Sequence, residues 1–285
     1  MSRGMRLYYY SILGAMGGLI GWQVSNVLGL SFTGNVYLSE VVVGALIGLS
    51  IGMLIGLSEG FFNKDVLVAL KSGLISGLLG LLGGGIGLPA AEALFQFLGG
   101  ESFSRFLGWG IFGMLIGAAL GFSTKSHIWK PALGGLIGGL LGGILLDSSR
   151  YWLSDPLSGK ALGLSMMGAS LGIFIALIVM LLSRAWIEVV SGKLKGSEFI
   201  LDKFIKKNGP SAYFGSDSLK ADIVFPDPDV SPQHAMLKGN DTHFTLKDMS
   251  LQGTFINNRR IELSQLSNRQ KVKMGNTEFV YHERS

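Results

Sequence analysis

Residues 44–60 read GALIGLSIGMLIGLSEG and carry glycine at every fourth position. Because residues four apart share one face of an α-helix, this spacing predicts a smooth ridge against which a second backbone packs closely. The same spacing recurs in three later stretches. The pattern predicts a bundle of glycine-zipper helices, whose helix-packing residues are Gly44, Gly48, Gly52, Gly56, Gly113, Gly117, Gly134, Gly138, Gly142, Gly168 and Gly172.

Six apolar stretches, each of about 18–22 residues and long enough to cross a bilayer, contain these ridges. Hydrophobic residues make up 48% of the chain and charged residues only 15%, which argues against a wholly water-soluble fold. We therefore predict six transmembrane helices within a domain of residues 1–190. The stretches run at residues 7–28, 38–58, 68–88, 104–123, 130–147 and 162–183.

Short motifs recur in this membrane half at a nearly constant offset. Residues 52–56, GMLIG, recur at residues 113–117, and GLISGLLG at residues 73–80 recurs as GLIGGLLG at residues 135–142. The offsets are 61 and 62 residues. The recurrence predicts three helical hairpin repeats. Chance matches among the abundant Gly, Leu and Ile residues are the alternative explanation.

Lysine and arginine are concentrated in alternate connections between the stretches. They precede the first stretch and follow the second, fourth and sixth. Because positively charged short loops stay in the cytoplasm, we predict a multi-pass protein of the bacterial inner (plasma) membrane with both termini cytoplasmic. The central part of each stretch lacks the ionisable groups that ion or proton coupling usually requires. A structural bundle in membrane lipid, able to form homo-oligomers, is thus favoured over a pore.

The sequence changes beyond Gly196 to short alternating stretches broken by Gly, Pro, Asn and Asp. Many short strands within about 90 residues predict an all-β sandwich at residues 196–285, joined to the helices by a basic connector at residues 191–195. The candidate strands are residues 198–205, 211–214, 222–225, 234–238, 243–247, 254–256, 271–274 and 278–282.

Several motifs follow one another in a fixed order within this C-terminal part. They are FGS at 214–216, ADI at 221–223, VSPQHA at 230–235, DMSLQGTFIN at 248–257 and KMGNTEF at 273–279. Together they resemble the forkhead-associated (FHA) domain. The resemblance implies a two-sheet sandwich whose loops at one end hold a phosphothreonine peptide through charge-assisted hydrogen bonds to the phosphate.

The resemblance also implies roles for individual residues. Ser231 matches the serine that contacts the phosphate, and His234 matches the histidine that braces its loop. Gly253, Thr254 and Asn257 match the later glycine, threonine and asparagine of the binding loops. A structural explanation remains open for all five positions, because the same residues would also secure turns in a domain that binds its partner without phosphate.

Three further positions of the partner-binding set depart from the family. Ser216 stands where the family has arginine, and Leu251 with Gln252 where it has Thr-Asn. A missing guanidinium removes a hydrogen bond to a charged group, worth about 1.5–3 kcal/mol. Three cations on neighbouring loops could restore the charge or could be solvated turn residues: Lys220, Arg259 and Arg260.

Composition and motifs exclude several function classes. The chain has no cysteine and four histidines without metal-ligand spacing, so we expect neither a metal site nor a cofactor. No nucleophile motif, phosphate-binding glycine loop or basic stripe occurs, so neither an enzyme nor a nucleic-acid-binding protein is expected. We expect a signalling or scaffold protein that presents an FHA-like domain to a cytoplasmic protein or phosphoprotein. The alternative is a channel or transporter subunit regulated by that domain.

Overall fold

The computed structural model of the chain describes residues 3–29, 36–63, 66–100, 102–123, 128–153 and 155–284. The chain divides into two compact units. Gly4–Leu181 form a helical unit, and the second unit contains Leu182–Ser285.

Six helices make up the helical unit in the described ranges, and each overlaps one of the six predicted stretches. The third helix continues through Pro89 to Phe97, well beyond the predicted residue 88. The helices are α1 (Arg3–Val27), α2 (Val36–Asn63), α3 (Val66–Phe97), α4 (Ser102–Ser123), α5 (Trp129–Trp152) and α6 (Pro156–Leu181).

Within the part of the chain that the structure describes, five helices, α2 to α6, are long and apolar enough to span a membrane. Helix α1 is not among them, so five of the six predicted spans have the required length and apolar composition, and their insertion into a membrane stays a prediction. The physical reason is composition: α1 carries Arg3 and Arg6 at its start and Gln23 and Asn26 near its end. These polar residues lower its hydropathy below that of the other helices.

Glycines bring α2 and α3 into backbone contact. A Cβ atom built on Gly48 would lie 2.1 Å from the carbonyl oxygen of Gly80, and one on Gly44 would lie 2.3 Å from that of Gly84. No real side chain fits at such distances. The two helices can therefore pack this closely only because these positions are glycine.

The same close approach recurs between α4 and α5 and between α6 and α1. A Cβ on Gly113 would lie 2.2 Å from the Gly135 oxygen, and one on Gly168 would lie 2.1 Å from the Gly14 oxygen. Other glycines of the predicted packing set also face backbone or side-chain atoms of a neighbouring helix within 3 Å: Gly52, Gly56, Gly117, Gly134, Gly138, Gly142 and Gly172.

The remaining neighbours, α1–α2, α3–α4 and α5–α6, pack glycine against a larger residue. Gly17 lies against the backbone of Ile51, and Gly138 against that of Leu171. Gly87 lies against Phe112 in the same way. The six helices thus close into a ring in which the two kinds of contact alternate. Three hairpin repeats would have this period of two helices, but the repeats themselves stay a prediction.

Large apolar side chains from α2, α4 and α6, three from each helix, make up most of one buried cluster of the helical unit, which also contains Leu146 and Leu164. On each helix they recur at four-residue spacing, so one face of each helix supplies them. The recurring side chains are at most 4% exposed. They are Ile47, Ile51, Ile55, Phe112, Ile116, Leu120, Met167, Leu171 and Ile175.

The second unit is a sandwich of two sheets. One sheet has the strand order β2-β1-β11-β10-β7-β8 and the other β4-β3-β5-β6-β9. Stacked aromatic rings of Phe214, Phe225 and Phe279 lie in the core between them. The strands are β1 (Ala185–Ser191), β2 (Glu198–Ile200), β3 (Ala212–Gly215), β4 (Ile223–Val224), β5 (Ala235–Gly239), β6 (Phe244–Asp248), β7 (Thr254–Ile256), β8 (Arg259–Ile261), β9 (Leu263–Gln265), β10 (Lys271–Met274) and β11 (Thr277–Glu283).

The predicted domain boundary is wrong by several residues. Strand β1 begins at Ala185, inside the predicted membrane domain, and ends at Ser191, where the basic connector was expected. It pairs antiparallel with β11 near the centre of its sheet. Alternate residues Ile187 and Val189 are buried, which is a strand period that the preceding apolar helix obscured. The sandwich therefore begins directly after α6.

Candidate functional site

The loops after β3, β4 and β6 meet at one end of the sandwich. The backbone N–H of Ser216 donates to the carbonyl oxygen of Ser231 at 3.0 Å. The hydroxyl of Ser231 donates to Oε1 of Gln252 at 2.7 Å. The structure therefore brings together three residues of the predicted partner-binding set, one from each loop.

His234 lies fully buried beneath these loops and links two of them. The backbone N–H of Ser231 donates to its Nδ1 at 3.1 Å. This assigns the proton to Nε2, which lies 3.2 Å from the carbonyl oxygen of Gly253 and donates to it. Burial lowers the pKa of His234, so the neutral ring is the form that fits between the loops.

Asp248, at the end of β6, organises the loop that follows. Its Oδ1 accepts hydrogen bonds from the hydroxyls of Thr254 and Ser250, both at 2.9 Å, and the Ser250 hydroxyl accepts the N–H of Gly253 at 2.8 Å. Burial by itself would raise the pKa of Asp248, but these hydrogen bonds outweigh burial and hold the pKa below its usual value. The loop is thus fixed by a charged acceptor.

The side chains of Thr254 and Asn257 make hydrogen bonds within the domain. Thr254 is fully buried, and its hydroxyl is bound to Asp248. Asn257 has a φ of +48°, and its Oδ1 accepts the backbone N–H of Lys271 at 3.1 Å. Asn258 follows with a φ of +67°, so the pair forms the tight turn between β7 and β8. These contacts stabilise the scaffold, and a role of the two residues in partner binding stays a prediction.

Asp227, a residue outside the predicted site, stabilises the loop between β4 and β5. Its Oδ2 accepts the hydroxyl of Thr277 and the backbone N–H of Asn276, both at 2.9 Å. Burial opposes the charge, but these bonds and the N–H of Asp229 keep the pKa of Asp227 below its usual value. The chain between β4 and β5, which carries Ser231, is thereby tied to the β10–β11 turn. An aspartate followed two residues later by another polar turn residue was the available signal.

Arg260 on β8 reaches the same loop from its other side. Its Nη2 donates to the carbonyl oxygen of Leu251 at 3.3 Å. Gly253 has a φ of +90°, and a Cβ built there would lie 2.7 Å from Nε of Arg260. We call the surface formed by Ser216, Ser231, Leu251, Gln252 and Arg260 the loop face.

Two leucine side chains in the loops after β3 and β6 are exposed. Leu251 is 96% exposed and Leu219, in the loop between β3 and β4, is 87% exposed. The loop face therefore offers hydrogen-bond donors, a guanidinium and apolar contacts.

Residues 213–275 match the sequence model of the family described as "FHA domain". The chain carries an FHA domain. The matched residues include the loop face and the two aspartates that stabilise its loops, Asp227 and Asp248. No curated protein matches the chain at a significant level.

Several solved structures are similar to the FHA domain of this chain. The FHA domain of the CT664 protein from Chlamydia trachomatis is 34% identical, over 36% of this chain and 100% of that one, with a TM-score of 0.33. The FhaA FHA domain, solved in complex with the intracellular domain of Rv3910, is 20% identical, over 34% and 99% of the two chains, with a TM-score of 0.29. The cytoplasmic domain of PscD, a type III secretion sorting-platform protein from P. aeruginosa, is 20% identical, over 36% and 83%, with a TM-score of 0.31.

Proposed function

We propose that this chain is a membrane-anchored interaction protein whose FHA domain binds a cytoplasmic protein partner at a phosphothreonine. The observation that carries the proposal is the convergence of hydrogen-bond donors on the loop face. The Ser231 hydroxyl, the Gln252 side-chain amide and the Arg260 guanidinium all belong to, or contact, the loops that His234 braces. Donors of this kind suit a phosphate dianion.

The Ser231–Gln252 contact is compatible with such a ligand. In the free domain the Ser231 hydroxyl donates to Oε1 of Gln252, which leaves the two N–H donors of the Gln252 amide for other acceptors. Rotation of the serine hydroxyl would direct it to a phosphate oxygen instead. Both side chains are at the surface of the domain, so neither movement needs repacking of the core.

Membrane anchoring is supported by apolar side chains on the outside of the helical unit. One stripe on α3 recurs every four residues, and each member is more than half exposed: Leu70, Leu74, Leu78, Leu82 and Ile86. A contiguous stripe of this kind is unfavourable in water and favourable in lipid. The outward face of α1 is also apolar, with Ile12, Met16 and Ile20 exposed, which supports α1 as a sixth span.

The location that we propose is a bacterial inner membrane, with both termini in the cytoplasm. Its support is the alternation of basic connections along the sequence. A transport function is less favoured, because the helices α2, α4 and α6 meet through the buried apolar cluster defined above. Solute flux through purified protein in liposomes would instead favour the channel alternative.

Peptide binding by the full chain in lipid nanodiscs tests the proposal. A fluorescein-labelled degenerate peptide with a central phosphothreonine should bind more tightly than the same peptide with threonine. Ser231→Ala removes one donor to a charged group and should weaken binding about tenfold or more, without a change in thermal stability. Ser267→Ala, in the β9–β10 turn at the other end of the domain, is the matched control. Equal affinity for both peptides would refute phosphate recognition.

A further inference from the structure

We propose that Arg260 is the residue that grips the phosphate, in place of the arginine that the family carries at the position of Ser216. This inference rests on the proposed function, because it assigns a role within the same binding site. The charged group that contacts the phosphate at the loop face would then be a guanidinium from β8. Two other nearby cations, Lys220 and Arg259, are the alternatives that the sequence left open.

The path of the Arg260 side chain is set by the β7–β8 hairpin. Arg260 pairs with Phe255 across the hairpin, whereas Arg259 pairs with Ile256. Because neighbouring residues of a strand point to opposite faces, the two arginines lie on opposite sides of β8. Ile256 is buried and Phe255 is only partly so, which places Arg260 on the outer face, where its side chain runs back along β7 to the binding loop.

Gly253 is the feature that admits the guanidinium to this loop. A Cβ at that position would lie 2.7 Å from Nε and 3.0 Å from Cζ of Arg260. Any larger residue would displace the arginine, and the φ of +90° also favours glycine. The guanidinium therefore lies directly against the backbone that joins Gln252 to Thr254.

The contact with Leu251 leaves most of the guanidinium free to bind a ligand. The Leu251 oxygen accepts one hydrogen bond from Nη2, and a guanidinium has five N–H donors. None of the ion pairs between described residues of the chain involves Arg260. The hydrogen bond to Leu251 orients the planar group, and pre-orientation of this kind lowers the entropy lost when a phosphate binds.

Neither alternative cation has a comparable contact among the residues described. The hydrogen bonds described for Lys220 involve its backbone: its N–H donates to the carbonyl oxygen of Asp217 at 3.1 Å, and its carbonyl oxygen accepts from the side-chain amide of Gln233 at 3.4 Å. Arg259 lies on the other face of β8. The geometry thus separates Arg260 from two residues of equal charge and similar exposure.

Binding of the phosphothreonine and threonine peptides to the full chain in nanodiscs tests this inference through Arg260→Gln. The glutamine keeps a donor for the Leu251 oxygen and part of the stem but loses the charge. We expect the affinity for the phosphothreonine peptide to fall about tenfold to a hundredfold, with the melting temperature unchanged. Arg259→Gln is the control for the same loss of charge and should change the affinity less than about threefold.

A second variant restores the charge from the family position. Ser216→Arg, introduced into the Arg260→Gln chain, should recover most of the lost affinity if both positions serve one phosphate. Wild-type preference for the phosphothreonine peptide with equal binding by Arg260→Gln would overturn the inference and leave the proposed function intact. No wild-type preference for phosphate would overturn phosphate recognition itself, and the role of Arg260 with it.

Discussion

Replacement of His234 by alanine should destabilise the FHA domain strongly, because the imidazole is the link between the two binding loops. The ring accepts the N–H of Ser231 and donates to the carbonyl oxygen of Gly253. Alanine supplies neither partner and leaves the volume of a fully buried side chain empty. The loss thus has a hydrogen-bonding part and a packing part.

The magnitude follows from these two parts. A buried polar group without its partner costs about 1–3 kcal/mol. Gly253 is buried and Ser231 is partly accessible to water, so the unpaired carbonyl oxygen of Gly253 should destabilise the domain more than the unpaired N–H of Ser231. With the cavity included, we expect the free energy of unfolding to fall by about 3–5 kcal/mol, a large share of the typical stability of a domain.

Urea denaturation of the fragment 182–285 measures this change. The fragment contains the buried core of the sandwich, and Trp186 is its single tryptophan. Trp186 stacks on His282 with ring centroids 5.1 Å apart, so its emission reports unfolding. With a slope of about 1–3 kcal/mol per molar urea, the midpoint should fall by roughly 1–5 M.

His243→Ala is the matched control for this experiment. His243 lies in the turn between β5 and β6, where it contacts only Asn240 and Thr242 of the same turn among the hydrogen bonds described. Its loss should cost less than about 1 kcal/mol. If His234→Ala unfolded within about 1 kcal/mol of the wild type, the bracing role of the imidazole would be wrong.

Three further predictions concern the pH dependence of the FHA domain and the packing of the helices. The free energy of unfolding of the fragment should fall as the pH drops below about 6.5. Unfolded histidine binds a proton in this range, whereas folded His234, with its lowered pKa, does not. In urea denaturation at a series of pH values, His234→Gln should remove this loss. The free energy of unfolding should fall further below about pH 3.8. Unfolded aspartates are protonated there, whereas Asp227 and Asp248, with their lowered pKa values, stay charged. Asp248→Asn should reduce this second loss of stability. Gly48→Leu should separate α2 from α3, since even a Cβ would lie 2.1 Å from the Gly80 oxygen. The melting temperature of the full chain in detergent should fall by several degrees or more. Gly4→Leu is the control and should not lower the melting temperature, because no atom lies within 4 Å of a Cβ built on Gly4.

The local signals of the sequence were sufficient for the larger elements. Long apolar runs located the six helices, and glycine spacing identified faces that do pack against other helices. The ordered motifs between residues 214 and 279 identified the FHA domain, because they lie at turns whose conformation depends on particular residue types. Strands β8 and β9 were missed, since strands of three residues carry too few positions to show a period.

Side-chain destinations within the site depended on the tertiary structure. Sequence similarity matched Thr254 and Asn257 to residues of the binding loops, and only the structure shows which partners they have within the domain. The Thr254 hydroxyl donates to Asp248, and the Asn257 side-chain oxygen accepts the backbone N–H of Lys271. Nothing in the local sequence states whether a polar side chain faces a ligand or a buried acceptor. That choice is made by the partner that the fold places within hydrogen-bond distance.

The sequence by itself determined that the chain has an apolar helical part with glycine packing faces and a C-terminal FHA domain. Each of these properties is written in residues that are neighbours, or lie one helical turn apart, along the chain. Only the tertiary structure decided that the helices close into a ring and that Arg260, rather than Lys220 or Arg259, lies against the binding loop. Both outcomes depend on contacts between distant segments, and such contacts are set by strand pairing and helix packing over the whole domain.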